Sequence, residues 1–503
     1  MKNNIRTNVV INLIRTLALT ILSFLTFPYV CQVLLDAEMG LYTWANTFVY
    51  YFLVLAKIGI PNLAIRECVS VKDDKEKLSN KAQAFFILQS VTTVISFAAM
   101  CGFVFAVPQL FEARDIIFLL SINFLSGAFS FEWIYIALEK QFYMSVRSII
   151  ILALSAILII VFVKNPDDLP IYSLITAGVT VITSIVNLIF LSDSISFKKT
   201  MPYNYKQYVR PLTTLFVLSM LLALYNQTDT FILGFLNMTK EEVGAYSVGI
   251  KGIDIIIGVI AGLSTVFIPR AAYYYGKEDK RFFNNLNKYS MNICMFIVMP
   301  AVITMSIMST QICKLIAGNT GYDTASWVLI ALASMMITYS LGDIIYGQIL
   351  LPMKKEKYYL FAILGGVILN IILSLVLGIY AFKEHPSIGV AIGTMVTDLL
   401  VLVYLVSKTW KWVKKPLFNK NTLKLLIGNG LVLLMSLLLI YWTPIRGLWN
   451  NNVNITYIGS LALELVSVVI IDAIIYFVSL ALMKEDLVYS LIRRKKDVQE
   501  ASN

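Results

Sequence analysis

Apolar residues run along this chain in long blocks divided by short polar segments, about fourteen blocks in all. They cover roughly 9–33, 41–60, 81–106, 114–138, 145–164, 170–191, 209–236, 243–268, 285–308, 323–349, 358–381, 387–407, 423–443 and 456–482. Each holds about 20 residues or more, and at ~1.5 Å of rise per residue such a helix crosses a ~30 Å hydrocarbon layer. The pattern predicts an all-α polytopic membrane protein with about 14 transmembrane helices. Polar positions inside the blocks are also patterned. Span one carries Asn8, Asn12, Arg15, Thr16, Ser23 and Thr26 at steps of three and four or their sums, a stripe turned away from lipid. Span eight carries Ser247, Lys251, Asp254, Gly258 and Thr265 in the same way, and span seven puts Asn226, Asp229 and Thr230 on one face.

Charge then sets the orientation. With the N-terminus in the cytoplasm, 33 of the 41 Lys and Arg fall in inner segments and 6 in outer loops (Arg114, Lys164, Lys240, Lys314, Lys383 and Arg446). The remaining 2, Arg15 and Lys251, lie inside spans. Cytoplasmic loops retain cations during insertion, so both termini are expected in the cytoplasm. The net charge of +11 is explained by these inner loops, and nucleic-acid binding is not expected. Met1 to Val30 has the basic, apolar look of a signal peptide, but Arg15 interrupts it and no small-residue cleavage site follows, so it reads as an uncleaved first span.

The polar parts are small. No loop has room for a soluble domain, no Walker-type glycine loop is present, and ATP hydrolysis by this chain is not expected. The five cysteines lack metal or disulfide spacing, so no metal or cofactor is expected. His385 is expected to be a solvated loop residue, and Trp410, Trp412, Trp442 and Trp449 to anchor the two membrane boundaries.

The chain also repeats itself. Glu38-x-Gly40-x-Tyr42 opens span two and Arg66 follows; Glu242-x-Gly244-x-Tyr246 opens span eight and Arg270 follows, at a constant offset of 204. Glu132-Trp-Ile134-Tyr135 in span four echoes Asp343-Ile-Ile345-Tyr346 in span ten. A six-span shift preserves orientation and predicts two parallel six-helix bundles, 1–200 and 201–415, with appended helices over 416–483 and a cytoplasmic tail over 484–503.

With these motifs the chain resembles the polysaccharide flippases of the multidrug/oligosaccharidyl-lipid/polysaccharide exporter superfamily. The resemblance implies a transporter and not an enzyme. It implies two bundles around a cavity open alternately to either side of a bacterial cell membrane. Its implied cargo is an undecaprenyl-diphosphate-linked oligosaccharide, moved outward for capsule or O-antigen synthesis, with a polymerase and glycosyltransferases as companions. Teichoic-acid precursors remain an alternative cargo.

Ionisable side chains inside spans are costly and mark function. Arg15 and Lys251 suit a diphosphate, the first as a bidentate fork and the second as a mobile point charge. Asn226 and Asp229 would line the same cleft, and Arg66 and Arg270 would meet the diphosphate at the cytoplasmic side. Glu132, Asp343 and Asp254 are candidates for coupling to protons or sodium. Purely structural roles stay open: Lys251 with Asp254, Asp229 with Lys251, and Arg15 reaching the interface. Two other function classes are weighed against these. An organic-cation exporter calls for a cavity dominated by carboxylates, whereas Arg15 and Lys251 make this one mixed. A polymerase or ligase calls for a large outer loop that the chain lacks.

Overall fold

The first two predicted spans share one long helix, α1 (Ile5–Lys57), which Leu35 interrupts with a φ of 64°. This computed structural model describes residues 5–191, 195–196, 205–236, 240–318, 321–441 and 457–489. Arg446, Trp442, Trp449, most of the 484–503 tail, and the side chains of Asn8, Asn12 and Thr265 lie outside the described residues. Among the described residues there is no strand.

Twelve helices among the described residues are long and apolar enough to cross a membrane. Two features reconcile that number with fourteen blocks. The first two blocks fall in a single 52-residue stretch, Ala18–Val69, which includes α2 (Ile60–Val69). Block 114–138 is divided among α4 (Arg114–Leu120), α5 (Asn123–Phe129) and α6 (Glu132–Ala137), each too short to span alone. The other elements follow the blocks: α3 (Lys75–Ala106), α7 (Gln141–Phe162), α8 (Leu169–Leu191), α9 (Lys206–Leu236), α10 (Glu241–Gly276), α11 (Lys280–Ile307) and α12 (Ser309–Ala317). After these come α13 (Ala325–Ala333), α14 (Met335–Ile344), α15 (Glu356–Val376), α16 (Pro386–Leu417), α17 (Lys420–Tyr441) and α18 (Tyr457–Leu482).

The repeated glycines mark the contact between the kink of α1 and the start of α10. A Cβ on Gly40 would lie 1.8 Å from the Lys240 carbonyl oxygen, and one on Gly244 would lie 2.1 Å from the Asp36 carbonyl oxygen. Asp36 and Lys240 are themselves 204 residues apart, so the contact is reciprocal and follows the repeat. Only a residue without Cβ allows backbones this close. Beside the crossing, the Trp44 indole fills the space over Gly234 and donates to the Phe231 carbonyl at 3.3 Å. Lys240, counted from sequence as an outer-loop cation, is 4% exposed, with its ammonium 4.1 Å from the Trp44 ring centre and donating to the Gly234 carbonyl. His385 is not simply solvated: its Nδ1 lies 3.3 Å from Glu242, which also accepts from the Ser387 backbone at 3.1 Å. Glu242 thereby caps the start of α16.

The chain forms two compact units, Met1–Ser247 with Val367–Val390, and Val248–Gly366 with Ala391–Asn503. The division is drawn differently from the sequence halves. Helix α9 and the first turns of α10 belong with the first unit, as the glycine crossing and the Trp44–Gly234 contact require. In the second unit the appended helices are held by buried polar contacts. Asp472 of α18 accepts from Ser436 of α17 at 2.6 Å and from Thr304 of α11 at 3.2 Å, while Gln311 of α12 donates to Glu464 at 3.4 Å.

Candidate functional site

Span four is broken, and the break builds the site. A helix interrupted at membrane depth frees carbonyls that need donors. Phe131 turns the chain with a φ of 42°. Asn187 Nδ2 donates to the Ser130 carbonyl at 2.6 Å, and Gln89 Nε2 donates to that of Gly127. The Tyr135 hydroxyl ties the same region to the Asn187 backbone at 2.6 Å. Beneath it Phe131, Trp133, Ile134 and Tyr135 pack with Phe85 and Leu63 in a buried cluster. The turn is therefore held from both its polar and its apolar sides, and it presents Glu132 at the first position of α6.

Glu132 accepts from two arginines through one oxygen. Arg15 Nη2 of α1 lies 3.2 Å from Oε1, and Arg147 Nη2 of α7 lies 3.2 Å from the same atom. Arg147 also donates to Asn187 Oδ1 and to Ser148 Oγ at 3.2 Å. One side-chain amide thus serves both the helix break and the buried guanidinium. The three side chains differ in exposure: 4% for Arg147, 20% for Arg15 and 38% for Glu132. Arg147 is locked in place; Arg15 and Glu132 are reachable. Two guanidiniums against one carboxylate leave a unit of positive charge, and the exposed Lys57 is near enough to Glu132 for their charges to interact. The Nε atoms of both arginines are buried without a hydrogen-bond partner among the described residues. Such a cluster attracts an anion and gives it forked N–H donors.

The other sequence candidates are dispersed. Asp229 is buried in the first unit and accepts from the Tyr246 hydroxyl at 2.6 Å and from Asn370 Nδ2 at 3.0 Å. Asn226, one turn earlier on α9, is exposed. Lys251 makes an ion pair with Asp254 at 3.5 Å, the i,i+3 pairing that the sequence left open. Asp343 is half-buried and lies near Ser264 of α10. Arg66 is largely exposed, 3.8 Å from Glu67. Arg270 opens onto a groove of about 470 Å³ with Tyr273, Tyr274, Phe282 and Tyr289. Arg147 was missed because charge counting placed it in an inner loop. The signal available was Asn187, an amide alone in an apolar span that predicts a buried polar partner. Among the described residues, no group of three His, Cys, Asp or Glu is placed to hold a metal.

Residues 5–275 match the family described as "Polysaccharide biosynthesis protein", and residues 215–376 match the MatE family. The "Putative O-antigen transporter" of Escherichia coli (strain K12) is 21% identical over 384 residues, which cover 76% of this chain and 91% of that protein. The "Probable low-salt glycan biosynthesis flippase Agl15" of Haloferax volcanii is 27% identical over 183 residues, 36% of this chain and 38% of that protein. Among solved structures, "Lipid II flippase MurJ, inward closed conformation" matches with a TM-score of 0.71 and 15% identity, covering 94% of this chain and 99% of that one. At that identity the likeness concerns the fold alone.

Proposed function

Because the chain belongs to the polysaccharide biosynthesis protein family, we propose that it is a flippase of undecaprenyl-diphosphate-linked oligosaccharides. It carries them from the inner to the outer leaflet of a bacterial cytoplasmic membrane for capsule or O-antigen-type polymers, by alternating access and without ATP. The observation that carries this reading is the net-positive Arg15–Glu132–Arg147 cluster at span depth. A diphosphate is the costly part of such a lipid to move through hydrocarbon, and a reachable guanidinium in a charged cluster lowers that cost. Glu132 sets the aim and charge of the arginines, which favours a role in the anion site over one in proton or sodium coupling. Lys251, Arg66 and Arg270 are proposed as further cations that meet the diphosphate. Glycosyltransferases would supply the cargo and a polymerase would consume it.

Two measurements test this. In cells, Arg15→Ala is expected to lower surface polysaccharide at least tenfold while membrane abundance stays at the native level. Normal export, or a loss that tracks loss of protein, contradicts the role. For topology, cysteines replacing exposed Asp73 and Glu384 in a background without the five native ones report the two sides. An impermeant maleimide on intact cells should label position 384 and miss position 73. Labelling of 73 before lysis overturns the orientation.

A further inference from the structure

Spans that touch lipid have broad open faces. By contrast, the span over Ala325–Leu350 is 61% buried, whereas the other candidate spans range from 17% to 44%. Over Met335–Leu350 the positions that are not buried are Met335, Ile337, Tyr339, Gly342, Asp343 and Tyr346, and among them Tyr339, 40% exposed, Asp343 and Tyr346 follow at steps of four and three. These positions lie above one another on one helix face. A carboxylate on the open face of a span lies toward water and not toward lipid, because exposing it to hydrocarbon costs several kcal/mol. The stripe is therefore the wet face of an otherwise enclosed helix.

Its chemistry is specific. Tyr346 stacks on Tyr359 of α15, with ring centres 4.0 Å apart and planes at 24°. Asp343 sits one turn before Tyr346 and one turn after Tyr339, near the buried Ser264 of α10. The face thus joins flat apolar rings, phenolic hydroxyls and one carboxylate within two helical turns. A pyranose matches that set. Its axial C–H face packs on an aromatic ring, while its rim of hydroxyls donates to a carboxylate and bonds with phenols. A diphosphate does not match it, because Asp343 repels it.

We propose that Tyr339, Asp343, Tyr346 and Tyr359 form a saccharide subsite that reads the sugar of the lipid-linked cargo. This rests on the flippase reading and deepens it by naming the part of the cargo, the sugar, that this face of the second unit would recognise.

The test uses the purified full-length protein in nanodiscs and fluorescent prenyl-diphosphate probes, one bare and others bearing glucose, galactose or N-acetylglucosamine. At least one sugar should tighten binding over the bare probe. Tyr339→Ala and Tyr346→Ala should each weaken that glycosylated probe about tenfold, as loss of an aromatic contact does. Both should leave the bare probe unchanged, and Tyr346→Phe should retain most of the affinity. Asp343→Asn should flatten the differences among the three sugars. Arg15→Ala should weaken all probes alike. If no sugar tightens binding over the bare probe, or if the tyrosine variants weaken both kinds equally, the subsite is overturned and the diphosphate site stands. If the face instead binds ethidium, and Asp343→Asn abolishes that, the face is a cation site and the saccharide assignment falls. If the native protein binds none of the prenyl diphosphates, the flippase reading itself fails, and the subsite with it.

Discussion

Gly40→Ala is expected to lower the thermal stability of the purified protein by about 3 kcal/mol, the upper range for overpacking a closed contact. The added methyl would sit 1.8 Å from the Lys240 carbonyl oxygen, and a backbone atom cannot rotate away as a side-chain tip can. Relief requires the kink of α1 and the start of α10 to separate by more than an ångström. Gly244→Ala should cost a similar amount for the mirrored reason, since its methyl would meet the Asp36 carbonyl at 2.1 Å. The informative variant is the double one. Once the first methyl has opened the crossing, the second fits in the gap, so the double variant should lose little more than either single variant. Neighbours that share one strain are non-additive in this way. Thermal melts of the four proteins decide it: fully additive losses, or no loss from either single variant, would contradict the reciprocal contact.

Glu132→Gln is expected to destabilise by about 2 kcal/mol for an electrostatic reason, since water at the 38%-exposed carboxylate screens part of the loss. Removing one partner of a buried ion cluster strands the others, which costs more than the cluster contributes. Here the amide leaves Arg147, 4% exposed, facing Arg15 with no anion between them. Glu132→Gln with Arg147→Met should recover much of the stability, because the methionine fills the arginine's apolar volume without its charge. Export should not recover, since Arg15 would have lost both the carboxylate that aims it and the second cation beside it. Melting temperature and surface polysaccharide separate these outcomes. Recovery of both would make the cluster a structural device only. No loss of stability in the single variant would mean that Glu132 does not compensate the arginines.

Much of the fold was legible from local properties. A helix that crosses a membrane needs a continuous apolar block, so block length located the spans, including two that α1 runs together, but not the break that divides block 114–138 into three short helices. The reciprocal glycine contact was legible as the 204-residue repeat, although not its cause, because a close backbone approach leaves only the absence of a side chain as its trace. Arg147 was less legible. It sits at the edge of a block, where a basic residue usually stays with the cytoplasmic loop. It is buried here because Phe131 turns Glu132 toward it and Asn187, 40 residues later, accepts from it. The burial of Lys240 was hidden for a similar reason: a tryptophan 196 residues earlier covers it. For Asp229 the partners that matter include Asn370, 141 residues away, and no spacing rule reaches that far. Charged residues were therefore readable as exceptions to the apolar pattern, while their partners were set by tertiary contacts.

If the arginine cluster carries a lipid-linked diphosphate across a membrane without nucleotide, as proposed, transport should persist in vesicles that hold only the protein and its cargo. The most direct measurement reconstitutes the purified protein in vesicles with a fluorescent prenyl-diphosphate disaccharide and follows quenching of the probe by an impermeant reductant. Native protein is expected to expose the inner-leaflet half of the probe within minutes without ATP, Arg15→Ala to slow this at least tenfold, and protein-free vesicles to leave it protected. Protection that persists with the native protein, or exposure that requires ATP or proceeds equally in Arg15→Ala, would contradict the proposal.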